Sequence, residues 1–131
     1  MLNHRMFALE TQFDALVHFF CEMDIDMIDA VLGRIPKLQS MKKQKFISQL
    51  EKVFNNFKSA GDTCLIKLPG NCNNCYVGKA GYVFVGNKSK NYINILFDLN
   101  QGIITDMFEC AFLKPKENRE ISSRFSLALY I

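Results

Sequence analysis

Two cysteines separated by two residues, Cys72 and Cys75, are the side chains whose type and spacing best suit chemistry. Thiolates at this spacing supply half of a four-ligand zinc site, act as a redox pair or form a disulfide. Four further residues are of a type that binds zinc: Cys64, Cys110, His4 and His18. A simple meander of strands would separate Cys110 from the CxxC turn along the sheet. No metal is therefore favoured, and a zinc-stabilised turn with Cys72, Cys75 and Cys110 as ligand candidates stays an alternative.

The simplest interpretation of the CxxC is a tight turn that covers two small thiols. Reactive pairs usually have their first thiol at a helix N-terminus, where the dipole lowers its pKa, whereas this turn leads into a predicted strand. The other cysteines, Cys21, Cys64 and Cys110, lie in apolar periodic segments. Their positions predict buried core side chains.

A carboxylate on an apolar sheet face is the second candidate for chemistry. A two-residue turn at Gln101-Gly102 would place Asp106 opposite Phe97. Burial there raises the pKa of a carboxyl group and suits it to general-base catalysis, with Tyr82 or Tyr92 as an oxyanion donor. A shift of one residue would turn Asp106 to the other face, and the alternative is then a solvent-facing or edge aspartate.

Acidic residues cluster around the predicted start of the second helix: Glu22, Asp24, Asp26 and Asp29. A cation site is one interpretation. Carboxylates at a helix N-terminus also cap the first amides and complement the dipole, and this interpretation is favoured. His18 lies between apolar stripe residues, which predicts a position at the boundary of the core.

The first half of the chain has the periodicity of three amphipathic helices. An apolar stripe over residues 9–20 marks the first. Asp24 is the predicted N-cap of the second, over residues 25–32, and Gly33 its C-cap. Ser40 is the predicted N-cap of the third, which extends to about Ser59.

The second half reads as strands at residues 63–68, 81–85, 92–99, 103–112 and 124–131, with a charged loop at 114–120. Helices followed by strands predict an α+β fold with an antiparallel sheet. The alternating residues Ile93, Ile95, Phe97 and Leu99 should face the helices. Phe84, Phe97 and Phe108 are the rings expected to line a ligand pocket.

Length and composition limit the classes of function. A chain of 131 residues, with 49% hydrophobic and 22% charged residues, is expected to form one domain over residues 1–131. Twelve phenylalanines and no tryptophan predict a core or pocket rich in rings. A net charge of +3 without a dense basic stripe argues against nucleic-acid binding. Neither a signal peptide nor an apolar run long enough for a membrane is evident, so we expect a cytoplasmic protein without membrane contact.

The order of elements resembles the nuclear-transport-factor-2-like superfamily, which includes SnoaL-like cyclases and ketosteroid isomerases and has a cystatin-like cone. The resemblance rests on the amphipathic first helix, on MDIDMIDAVL at residues 23–32, on KFISQL at residues 45–50 and on the strands that follow. The chain departs from the family at residues 33–40, where a longer strand pair is usual. The resemblance implies three N-terminal helices packed on a curved antiparallel sheet of about five strands, which form a cone with an internal pocket, and often a homodimer.

Three functions follow, in order of preference. The first is a non-enzymatic binding or interaction module with an aromatic-lined pocket, a homodimeric assembly and a small apolar ligand. The second is an isomerase, cyclase or dehydratase that uses Asp106 as general base with Tyr82 or Tyr92. The third is a domain stabilised by zinc at the Cys72/Cys75 turn. The first is favoured because no convincing catalytic pair is present.

Overall fold

Three helices form the N-terminal part of the described chain. The computed structural model describes residues 11–71, 79–110, 113–115 and 120–127. The helices are α1 (Gln12–Cys21), α2 (Ile25–Leu32) and α3 (Lys43–Ser59). The predicted second helix is confirmed with both of its ends. Asp24 caps it by accepting a hydrogen bond from the N–H of Met27 at 3.2 Å.

A short hairpin precedes α3 and changes its predicted start. Strands β1 (Lys37–Leu38) and β2 (Met41–Lys42) pair antiparallel. Gln39 and Ser40 form the turn between them, with φ angles of 50° and 61°. Left-handed angles at both central residues are those of the hairpin turn that matches strand twist. The prediction that Ser40 is the N-cap of α3 is therefore wrong, because Ser40 belongs to this turn.

Five antiparallel strands form the main sheet, in the order β6-β5-β4-β3-β7. Their bounds are β3 (Leu65–Asn71), β4 (Lys79–Gly86), β5 (Tyr92–Asn100), β6 (Ile103–Glu109) and β7 (Lys114–Pro115). The helices lie N-terminal to this sheet. The predicted fold class, α+β with three helices and an antiparallel sheet of five strands in a cone-like arrangement, is confirmed for the described residues.

The sheet is apolar on both faces. Ile93, Ile95 and Phe97 point to the helices, as predicted, and form one core with rings of α1 and α3. A second, smaller core lies on the opposite face, which we call the outer face. Its buried members are Leu68, Val83, Val85, Leu96 and Leu113. Because successive strand residues alternate between faces, both cores come from the same strands.

The β5–β6 hairpin has the predicted turn but not the predicted register. Asn100 lies opposite Ile103, which confirms the two-residue turn. A β-bulge follows, since Leu99 lies opposite Ile104 while Asp98 lies opposite Asp106. Thr105 is the extra residue, and it shifts all later pairs by one. The predicted pairing of Asp106 with Phe97 is therefore wrong, and Met107 lies opposite Phe97.

The chain after β6 differs from the predicted final strand. The stretch expected to be a charged loop contains β7, which pairs with the end of β3 at Gly70 and Asn71. A Cβ on Gly70 would lie 2.7 Å from Cγ of Leu113, so glycine lets Leu113 lie on the sheet. The last predicted strand, residues 124–131, is described only as far as Leu127, and residues 128–131 lie outside the described residues. In the described part, Arg124 forms an isolated parallel bridge with Tyr92 and no regular strand is present.

Candidate functional site

The structure does not bring the predicted catalytic residues together. Asp106 lies two residues before Phe108 in a regularly paired part of β6. The two side chains therefore share the outer face of the sheet. Tyr82 lies opposite Ile95 and packs on the helix-side core. Tyr92 is on the same outer face as Asp106. Asp98 lies opposite Asp106, and Tyr92 is six residues from Asp98 on β5, which is roughly 20 Å along the strand.

Asp106 has a structural role at the edge of the sheet. Its Oδ1 accepts hydrogen bonds from the backbone N–H of Gln39 at 2.9 Å and of Met107 at 2.8 Å. The side-chain oxygen of Gln39 in turn accepts the N–H of Glu109 at 2.9 Å. The β1–β2 hairpin is thus fixed to the edge strand β6 by two reciprocal contacts.

A third side chain caps the same edge. Oε1 of Gln12 accepts the N–H of Ile104 at 2.9 Å, and its Nε2 donates to the carbonyl of Val31 at 3.0 Å. We call Gln12, Gln39 and Asp106 the edge caps, because each accepts a backbone N–H of β6. Unpaired edge amides invite a further strand, and side-chain acceptors remove that opportunity. The sequence pattern had suggested neither glutamine, since both make contacts to residues far along the chain.

The three rings expected to line one pocket are divided between two cores. Phe84 and Phe97 are fully buried on the helix side. The Phe84 ring stacks on Phe20 with centroids 4.3 Å apart, and Phe97 meets Phe13 edge-on at 5.2 Å. Phe108 packs on the outer-face core. Ring pairs at these distances are close-packed core contacts.

The three cysteines that the structure describes are more exposed than predicted. Cys64 is exposed and Cys21 and Cys110 are half-buried, so the prediction of a buried core position is wrong for Cys64. Burial raises the pKa of Cys21, although the charge and backbone N–H of Lys67 act in the opposite direction. Cys72 and Cys75 lie outside the described residues. Within residues 11–71, 79–110, 113–115 and 120–127, no three His, Cys, Asp or Glu side chains converge as metal ligands.

The acidic cluster is used for capping and ion pairing. Asp24 caps α2, as favoured from the sequence. Glu22 lies 3.4 Å from Nε2 of His18, and both side chains are about half exposed. Asp29 lies 2.6 Å from Nζ of Lys43, which also donates to the carbonyl of Asp29 at 3.1 Å and to that of Gly33. The Lys43 ammonium therefore neutralises the C-terminal end of α2.

A cleft opens on the outer face of the sheet. Its volume is about 310 Å³, and its described lining residues are Ile66, Leu68, Val85, Lys90 and Glu120. Ile66 lies opposite Val85 and is 45% exposed, an unusual state for an isoleucine in a strand interior. The described lining is thus mainly aliphatic, with two side chains of opposite charge. We call this cleft the outer cleft.

The turn that carries Lys90 is fixed from beneath by Asp62. This carboxylate is only 3% exposed. Oδ1 accepts the N–H groups of Lys88 and Ser89, both at 2.8 Å, and Oδ2 accepts the Ser89 hydroxyl at 2.6 Å. Burial alone would raise the pKa of Asp62, but the Ser89 and Lys88 hydrogen bonds and the charge of Lys90 outweigh it and lower the pKa.

Sequence reasoning missed the outer cleft and Asp62 for different reasons. Strand alternation could have placed Ile66 and Leu68 on one face, since they are two residues apart in one predicted strand. Val85 joins them only through the β3–β4 register, in which it lies opposite Ile66. Nothing local marks Asp62, because its partners lie 26 and 27 residues further along the chain. Glu120 reaches the cleft only through the path of the chain after β6.

Comparisons with known proteins give no family. No family model, no curated protein and no solved structure matches the chain. Among the helices that the structure describes, none is long and apolar enough to cross a membrane.

Proposed function

We propose that the protein is a non-enzymatic binding domain that holds a small, largely apolar molecule in the outer cleft. The observation that carries the proposal is an aliphatic floor of Ile66, Leu68 and Val85 in a concavity of about 310 Å³. Concave sites with apolar linings and few polar groups are typical of small-molecule binding. The proposal keeps the binding module expected from the sequence and moves its site from the phenylalanine rings to the outer face.

An enzymatic function receives less support from the geometry. Asp106 accepts two backbone hydrogen bonds, and neither tyrosine candidate shares its neighbourhood. General-base catalysis needs a base within hydrogen-bond reach of the proton it removes and of a partner that stabilises the product charge. An isomerase or cyclase site built on Asp106 therefore ranks below a binding site.

Family membership, the homodimer and the zinc-stabilised turn stay proposals as well. The order of three helices followed by antiparallel strands supports the nuclear-transport-factor-2-like assignment. Native mass spectrometry of the intact chain tests the other two. A mass of two chains supports the homodimer, and a bound zinc lost on Cys72→Ser supports the metal site.

A neutral fluorescent probe tests the binding function directly. N-phenyl-1-naphthylamine should bind saturably, with one probe per chain. Ile66→Lys places a charge in the cleft and should weaken binding at least about tenfold. The matched control is Ile103→Lys, because Ile103 is 61% exposed at the start of the edge strand β6 and does not line the cleft. Equal affinity of the two variants, or no saturable binding by the unaltered protein, would overturn the proposal.

A further inference from the structure

Two opposite charges lie at one aliphatic cleft. Lys90 is half-buried and Glu120 is exposed, and both line the outer cleft. No ion pair joins them in the described part of the chain. A cation and an anion that do not pair with each other beside an apolar surface match a ligand with the same three features.

The ammonium group of Lys90 is held in place. Its Nζ donates to the carbonyl of Asn87 at 3.3 Å, and its backbone has a left-handed φ of 64° at the end of the turn. Asp62 anchors that turn through Lys88 and Ser89, and the charge of Lys90 also acts on this carboxylate. The Lys90 ammonium has three donors, and the carbonyl of Asn87 accepts one of them. Lys90 therefore keeps donors for a ligand anion at the cleft.

Resting on the proposed binding function, the geometry points to a free α-amino acid with an aliphatic side chain as the ligand. The ligand carboxylate pairs with Lys90, its ammonium pairs with Glu120, and its side chain covers Ile66, Leu68 and Val85. A volume of about 310 Å³ is at the lower end of ligand pockets, roughly 300–1,000 Å³, which suits a molecule of this size.

Charge complementarity separates this ligand from simpler ones. An aliphatic carboxylate satisfies Lys90 and leaves Glu120 unpaired beside the ligand, and an aliphatic amine does the reverse. Each would lose one charge-assisted hydrogen bond that the amino acid forms. A larger lipid would extend beyond the cleft.

Amide chemical-shift titrations of the full chain test the ligand class. L-leucine should bind saturably and at least about tenfold more tightly than 4-methylpentanoate or 3-methylbutylamine, which lack its amine or its carboxylate. Lys90→Gln and Glu120→Gln should each weaken leucine binding at least about tenfold. Lys45→Gln and Glu51→Gln, which alter exposed charges on α3, should leave it unchanged.

The outcomes distinguish the two proposals. Both cleft variants should still bind N-phenyl-1-naphthylamine, because the aliphatic floor is intact, and this also shows that they are folded. Two results would overturn the amino-acid inference alone, provided that the unaltered protein binds the naphthylamine. One is tight binding of 4-methylpentanoate or 3-methylbutylamine by the unaltered protein. The other is the absence of leucine binding. Loss of naphthylamine binding by the unaltered protein overturns the binding function itself.

Discussion

At the scale of single residues, the positions of two aspartates decide which chemistry the molecule supports. Asp106 is the candidate base, and one extra residue at Thr105 moves it to the outer face of the edge strand β6. Asp62, which no sequence pattern marks, lies between α3 and β3 and is the buried carboxylate that anchors the β4–β5 turn. Alternation with period two predicts faces only while pairing is regular, so an inserted residue is invisible to it.

Replacing Asp62 by asparagine should destabilise the protein by about 1–2 kcal/mol at neutral pH, because hydrogen bonds to a charged acceptor become neutral ones. The pKa of Asp62 in the folded protein lies below its ordinary value of 3.8. The charge therefore contributes stability above pH 3.8 that is lost as the pH falls through the folded pKa. Urea unfolding of both proteins from pH 7 to pH 3 measures the difference.

The expected difference in unfolding free energy is constant from pH 7 to about pH 5 and shrinks below pH 4. Glu51→Gln, at an exposed position of α3, is the matched control and should change stability by less than about 0.5 kcal/mol. A difference between Asp62→Asn and the unaltered protein that does not vary with pH would show that the carboxylate charge is not its source.

At the scale of elements, the local signals predicted α2 and the inward face of β5 well. Asp24, Gly33 and the stripe between them act within one short segment, so their consequences need no distant partner. The β1–β2 hairpin was missed for the opposite reason. Gln39 and Ser40 have left-handed backbones that sequences usually assign to Gly or Asn, and contacts to β6, nearly 70 residues away, hold Gln39 in place.

The cap formed by Gln39 can be tested by hydrogen exchange. Gln39→Ala removes the acceptor of the Glu109 N–H, whose exchange should accelerate at least about tenfold because this edge amide loses its partner. The Met107 N–H, capped by Asp106, serves as an internal reference and should keep its protection. Gln44→Ala, at an exposed position of α3, is the control variant. Unchanged exchange at Glu109 would contradict an edge-capping role.

At the scale of the whole molecule, the chain after β6 joins the two cores. Leu113 is buried in the outer-face core, and Leu127 is buried in the helix-side core. Between them, Phe125 meets Phe57 with ring centroids 4.7 Å apart, and its N–H donates to the carbonyl of Tyr92 at 2.7 Å. The α+β class followed from the order of helices and strands, but this connection could not, because it depends on a parallel bridge between distant segments.

This connection predicts that both cores unfold together. Leu113→Ala and Leu127→Ala should each cost about 2–5 kcal/mol, as deletions of buried leucines do. Ser122→Ala, at an exposed position of the same segment, should change stability little. Methyl signals of Val83 on the outer face and Ile95 on the helix side should disappear at one urea concentration in each variant, because a two-state domain has a single transition. Loss of the Val83 signal at a lower urea concentration than that of Ile95 in Leu113→Ala would contradict this prediction. The outer-face core would then be an independent layer, and a ligand in the outer cleft would stabilise that layer alone.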